Sequence, residues 1–218
     1  MNIAIDGPAG AGKSTIAKLV AKELGNIYVD TGAMYRAMAL YMIKNGISPD
    51  DVASIEDACE HADISIIYKD GAQHVILNGE DVTGELRTEA VGNMASSTSV
   101  NGKVRAKLVS LQQKLAETTG VVMDGRDIGT VVLPNAEVKV YLTASVETRA
   151  KRRYKELVEK GQEADFEAIA ADIRDRDYRD MNRENSPLRQ ADDAVLVDSS
   201  DMTIEEVVSA ILDLTKKA

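Results

Sequence analysis

The stretch IDGPAGAGKST, residues 5–15, constrains this chain more than any other part of it. It sets the spacing G-x-x-x-x-G-K-S from Gly7 to Ser14, directly after the apolar run NIAID and directly before KSTIAKLVAKELG. In the latter segment Ile16, Leu19, Val20 and Leu24 recur at helical spacing, and Gly25 stops the pattern. A short buried strand, a glycine loop and a helix in that order form a phosphate cradle. Glycines let backbone amides turn inward on phosphate oxygens, and the helix N-terminus adds partial positive charge. On this reading Gly7, Pro8, Ala9, Gly10, Ala11, Gly12, Lys13, Ser14 and Thr15 hold nucleotide phosphates. Lys13 reaches the β- and γ-phosphates, and the Ser14 hydroxyl binds Mg²⁺. The alternative, a glycine turn with an exposed lysine, explains neither the strand before the loop nor the helix after it.

The same alternation continues downstream. IYVD, GVVMD, VKVYLTA and AVLVD read as further short strands, and TGAMYRAMALYMIKNG as a helix stopped by Gly46. An acidic helix is expected through DDVASIEDACEHA. A helical tract is expected over about 87–118, broken near SVNGK, with charged helices over 146–183 and an amphipathic helix in TIEEVVSAILDLTKK. Apolar strands alternating with helices predict an α/β fold of the P-loop NTPase type, with a parallel sheet of about five strands flanked by helices. One segment departs from this. ISIIYKDGAQHVILNGEDVTG alternates apolar and polar residues around D-G and N-G turns, and reads as a small antiparallel β insertion.

Composition narrows the partners. The 218 residues carry 26 Lys and Arg against 36 Asp and Glu, a net charge of −10, which argues against a nucleic-acid polymer as ligand. The single cysteine, Cys59, precludes an intrachain disulfide and fits a reducing, cytoplasmic setting. His61 and His74 lie far from the glycine loop in sequence and read as surface or packing residues. No apolar run has the length of a membrane span, and no basic leader precedes NIAID, so neither a membrane anchor nor a signal peptide is expected.

The loop alone fits a switch GTPase, a motor ATPase or a small kinase. The guanine-reading string N-K-x-D is absent, and VVMDG ends in Asp124 followed by Gly125 rather than Asp-Glu. Asp124 either holds Mg²⁺, through water, or caps the next turn. Eight of the twelve arginines fall between 149 and 189. Arg149, Arg152 and Arg153 share one helix face by their spacing, as do Arg176, Asp180 and Arg183. These are either solvated intrahelical ion pairs or fixed cations for phosphoryl transfer, where several negative charges converge. Beside a phosphate loop the second reading is the stronger.

Three further segments, DTGAMYR at 30–36, DGRDIGTVV at 124–132 and RDYRDMNR at 176–183, resemble the bacterial cytidylate kinase family, and with the glycine loop they run through nearly the whole chain in family order. The resemblance implies MgATP-dependent phosphorylation of CMP and dCMP to the diphosphates, and nothing in the sequence demands more than a monomer. It implies a core (about 1–30, 105–148 and 184–218), an acceptor-binding region carrying the β insertion (about 31–104), and a helical lid (about 149–165) followed by an arginine-rich helix to 183. Lys13, Arg126, Arg149, Arg152 and Arg153 are then catalytic. Thr31, Tyr35, Arg36 and Arg126 hold the acceptor phosphate, Ser96, Arg105 and Asp127 read the base, and Arg176 and Asp180 contact the sugar. Arg183 lies near the base or the phosphate. Local roles compete at three positions: helix capping for Thr31, backbone bonding within MASSTS for Ser96, and a surface charge for Arg105. The rivals are a small P-loop kinase for another monophosphate or a small alcohol such as shikimate, and a nucleotide-binding regulatory module without turnover.

Overall fold

The computed structural model describes residues 1–217. In chain order the elements are β1 (Ile3–Asp6), α1 (Lys13–Leu24), β2 (Ile27–Asp30), α2 (Thr31–Lys44), α3 (Val52–His61), β3 (Ile64–Lys69), β4 (Ala72–Leu77), β5 (Glu80–Asp81), α4 (Glu89–Thr98), α5 (Gly102–Thr118), β6 (Val121–Gly125), β7 (Val138–Thr143), α6 (Val146–Glu159), α7 (Phe166–Asn182), β8 (Val195–Asp198) and α8 (Ile204–Thr215). A 3₁₀ turn covers Thr83–Glu85, and a π-helical turn covers Ile128–Val132. The described residues form two compact units, 1–28 with 119–217, and Val29–Thr118.

The first unit is organised by the sheet β2-β6-β1-β7-β8. β1 is central and buried throughout, which is why IAID carries no exposed polar position before its terminal aspartate. It pairs in parallel with β6 and with β7, and β7 pairs in parallel with β8. Ile3, Ile5, Ile16, Val20, Val122, Val140, Val207 and Ile211 share one apolar cluster that seats α1 and α8 on the sheet. Each such buried side chain contributes about 1.5–3 kcal/mol. Register levels the strand ends: Asp6 lies opposite Gly125 and Tyr141, and Thr143 opposite Asp198. The segments leaving β1, β6, β7 and β8 therefore share the carboxyl edge of the sheet. Chain order reverses at β1, and ligands of open α/β sheets bind at such a reversal.

The second unit has its own core, in which Met34, Met38 and Met42 of α2 meet Ile55, Ile64, Val75, Val91, Val104 and Leu108. Its sheet is the antiparallel β3-β4-β5. Asp70-Gly71 and Asn78-Gly79 all take positive φ, the conformation of the tight hairpin turns expected from D-G and N-G. The helical tract read over about 87–118 is α4 and α5, interrupted where SVNGK was expected to break it. Side-chain caps start the helices: Asp30 for α2, Asp51 for α3, Thr88 for α4, Ser145 for α6, Asp165 for α7, and a full capping box of Thr203 with Glu206 for α8.

Candidate active site

The glycine loop leaves β1 and feeds α1. At Gly7 (φ 148°) an added Cβ would sit 1.9 Å from the Leu142 carbonyl oxygen of β7, so only glycine lets the loop run along that strand. Lys13, the first residue of α1, is buried and donates to the Pro8 carbonyl at 2.7 Å, curling back over its own loop. Burial and the neighbouring Arg126 cation push its ammonium well below the ordinary lysine value, against the opposing pull of Asp124, Asp6 and Asp180. The loop's lysine is thus set among charges of both signs, a site that gains from a polyanion.

Asp124, at the end of β6, accepts from the Ser14 hydroxyl at 2.9 Å and from the Tyr28 hydroxyl at 2.8 Å. A loop hydroxyl and a carboxylate in contact are the hard oxygen donors that Mg²⁺ takes from a protein when phosphates and water complete its shell. Among the described residues no group of three or more His, Cys, Asp or Glu could hold a metal by itself.

Beyond β6, Arg126 donates through Nε to Asp180 of α7 at 2.8 Å. Burial alone would raise Asp180, but Arg126, followed by Arg176 and Arg183, outweighs it and holds the carboxyl below its ordinary value. Arg183 also faces Asp127 at 3.9 Å, both side chains buried. Asp127, Arg176, Asp180 and Arg183 thus share one charged cluster with Arg126, to which α7 contributes Arg176 and Asp180, with Arg183 just past its end.

The arginines after β7 diverge. Arg149 is buried, donates to the Ala144 and Ala9 carbonyls, and pairs through both terminal nitrogens with Asp177. Arg152 donates to the Ser199 carbonyl at 2.8 Å and reaches the Ala11 carbonyl at 3.4 Å. Both arms lie against the glycine loop. Arg153 is exposed and paired with Glu156 on its own helix.

The second unit holds the other sequence-predicted residues. Thr31 opens α2 and is buried, while its neighbour Asp30 caps the helix by accepting from the Ala33 amide. A Cβ on Gly32 would lie 3.3 Å from the Arg36 guanidinium, so that cation lies back over the first turn. The Arg105 guanidinium stands 5.5 Å from the Tyr35 ring centre, in cation–π range, and donates to the Ser99 carbonyl. Ser96 lies on α4, and its carbonyl accepts from Ser99.

Several residues in these networks escape a reading of sequence: Asp6, Tyr28, Asp177 and Ser199 in the first unit, and Gln73 and Arg87 in the second. Asp6 alone carried a local signal, a carboxylate closing an apolar strand. Asp177 was masked by RDRDYRD, which supplies acids for intrahelical pairing.

Comparison with known proteins bears directly on this arrangement. The family model for cytidylate kinase matches residues 3–217. The chain belongs to that family. It is 54% identical over 217 residues to the cytidylate kinase of Caldicellulosiruptor bescii, covering all of this chain and 96% of that one. It is 51% identical to the cytidylate kinase of Enterococcus faecalis with the same coverage. Among solved structures, an uncharacterized protein from Eubacterium ventriosum shares the fold with a TM-score of 0.54 at 13% identity, covering 100% of this chain and 99% of that one. Nucleotide-dependent phosphoryl transfer is the chemistry of a kinase of this family, and the glycine loop and DGRDIGTVV follow β1 and β6 at the carboxyl edge of the sheet. Among the described residues no helix is long and apolar enough to cross a membrane.

Proposed function

We propose that this chain transfers the γ-phosphoryl group of MgATP to CMP or dCMP, giving CDP or dCDP and ADP. The observation that carries the reading is the convergence at one sheet edge of the loop lysine Lys13, the Ser14–Asp124 oxygen pair and the Arg126–Asp180 pair, in a chain of the cytidylate kinase family.

ATP phosphates would displace the Pro8 carbonyl from Lys13 and take backbone amides of the glycine loop, to which Pro8, lacking an N–H, contributes none. Ser14, and Asp124 through water, would hold Mg²⁺, which would supply neutralisation of phosphate charge. The acceptor is a phosphate oxygen, ionised near neutral pH because its second pKa is about 6. It attacks the γ-phosphorus while the bond to the bridging oxygen breaks and ADP leaves, so no strong base is required. What remains is alignment and neutralisation of charge. Thr31, Tyr35, Arg36 and Arg126 serve the acceptor phosphate, Arg176 and Asp180 the sugar, and Ser96, Arg105 and Asp127 the base. Cytosine offers an N4 amino donor to a carboxylate, whereas uracil presents O4, an acceptor, and loses the bond. Arg149 and Arg152 brace the glycine loop and, with Arg153, belong to a lid that closes on ATP. The reading includes a monomeric chain in a cytoplasmic setting, the latter in accord with one buried free cysteine.

ADP release with MgATP against CMP, dCMP, UMP, AMP, GMP and shikimate, with a control lacking acceptor, tests this reading. Fast turnover confined to CMP and dCMP is expected. Turnover with another acceptor would overturn the base-reading roles, and ATP binding without acceptor-dependent turnover would overturn the reaction.

A further inference from the structure

One buried charge in the first unit has no role in the chemistry above. Asp6 is the last residue of β1, immediately before the glycine loop, and is almost fully buried. Its two carboxylate oxygens each accept from one backbone amide, Ile128 and Gly129, both at 2.7 Å. Those amides open the π-helical turn Ile128–Val132 and, like the first amides of any helical segment, find no acceptor within it. The residue placed to cap them locally is Asp127, and aspartate is among the strongest caps. Its side chain does not cap the turn. Its carbonyl takes the Val131 and Val132 amides, and its carboxylate faces Arg183 instead. The cap is supplied by Asp6 from more than a hundred residues away.

The packing around this contact is closed. A Cβ on Gly129 would meet the Lys139 side chain at 3.2 Å and the Asp6 carboxylate at 3.4 Å. Lys139 is itself fixed by the Pro134 carbonyl and Asp193. The turn therefore has one seat, and the two residues before it, Arg126 and Asp127, take their positions from it.

We propose that Asp6 is a positioning residue for the acceptor: its carboxylate clamps the Ile128 and Gly129 amides, so that Asp127 is spared from capping and is presented, with Arg126, to the acceptor nucleotide. The strand that carries the donor loop thereby also sets the acceptor-reading segment. This inference rests on the kinase reading for its kinetic readout, though not for its structural one.

The test is Asp6→Asn. The amide side chain keeps the shape but offers one acceptor oxygen where two are used, and turns an N–H₂ toward a backbone N–H. The KM for CMP should rise by about tenfold or more, the cost of one buried bond lost, with the KM for ATP unchanged. Amide exchange at Ile128 and Gly129 should accelerate in the same variant. Gly129→Ala, which leaves Asp6 in place but crowds its seat, should give the same split between CMP and ATP. Equal losses for CMP and ATP, or a lowered melting temperature with normal KM for CMP, would reduce Asp6 to a structural residue and overturn the proposal. Unchanged exchange at Ile128 and Gly129 would also overturn it, whatever the acceptor. If the wild-type protein ignores CMP, the kinase reading fails, and the exchange measurement alone decides the clamp.

Discussion

Lys13 and Asp6 lie seven residues apart, and both are charged groups held out of water next to the phosphate loop. Neither position suits a folded protein in isolation, because burying a charge costs free energy that only a well-matched partner returns. Under the kinase reading, nucleotide phosphate is the partner that would return this cost for Lys13. Lys13→Ala is expected to lower turnover by about 10²–10³ while raising thermal stability or leaving it unchanged, as seen by parallel kinetics and thermal melts. Near-normal turnover would refute the role. Asp6 gives a prediction in pH. Burial raises its pKa from 3.8 to about 6, with the Gly129 and Ile128 amides pulling against that rise. A carboxyl with a raised folded-state pKa stabilises the fold most when protonated. Its contribution is full below pH 4 and is lost as pH rises to about 6, on the order of 3 kcal/mol in all. Asp6→Asn lacks this titration. Its stability in denaturant relative to wild type should climb between pH 4 and 6 and then level off. A constant difference across that window would show that the carboxylate is better compensated than its burial suggests. The glycine loop was legible in sequence because phosphate binding needs its residues at fixed spacing, and Asp124 stood out as the carboxylate that follows the apolar residues of VVMDG. Asp6 and Asp177 were not, because their partners, the Ile128 amide and Arg149, are distant in sequence and only the fold brings them near.

At the scale of elements, the inserted sheet of the second unit has an assignable task. The Gln73 side chain, on β4, accepts from the Asp30 amide at 2.8 Å and donates to the Asp30 carbonyl at 3.3 Å, in the manner of a neighbouring strand. Arg87 donates to the Asp30 carboxylate at 2.6 Å, and that carboxylate also caps α2. Four bonds thus fix the residue before Thr31, at the turn that Arg36 overlies. Gln73→Ala should raise the KM for CMP several-fold, about 1 kcal/mol in binding, with the KM for ATP unmoved. An unchanged KM for CMP would make the inserted sheet a mere elaboration. The hairpins of this sheet were readable from D-G and N-G because those dipeptides take positive φ at little cost. The π-helical turn was not, since IGTVV carries neither helical nor alternating periodicity and its shape is imposed by Asp6 from outside. The order β2-β6-β1-β7-β8 was likewise beyond sequence. Strand-helix alternation predicts a parallel sheet but leaves open on which side of β1 each later strand is added.

For the molecule as a whole, the distribution of apolar residues matters more than their number. The chain has one Phe and no Trp, and among the described residues each unit has a main core built from aliphatic side chains, with methionine in that of the second, while the Phe166 ring packs on a smaller cluster of Ala150, Ala170 and Ile173. The methionines of α2 lie in the core of the second unit, and the β-branched residues of β1, β6 and β7 in that of the first. Met38 is fully buried, and its truncation to alanine should cost about 2–5 kcal/mol. Separate cores imply that this loss is felt first where it occurs, because cooperative units open along lines of weak packing. Native-state amide exchange on Met38→Ala should therefore show faster exchange in α2, α4 and α5, with β1, β6 and β7 keeping wild-type protection. Uniform acceleration across both sets would mean that the chain opens as a single cooperative unit despite its two cores. The separation has a functional consequence under the kinase reading. Five residues proposed for the acceptor, Thr31, Tyr35, Arg36, Ser96 and Arg105, belong to the unit that Met38→Ala loosens, and the phosphate loop to the other. Met38→Ala should then raise the KM for CMP at temperatures where the KM for ATP has not yet changed.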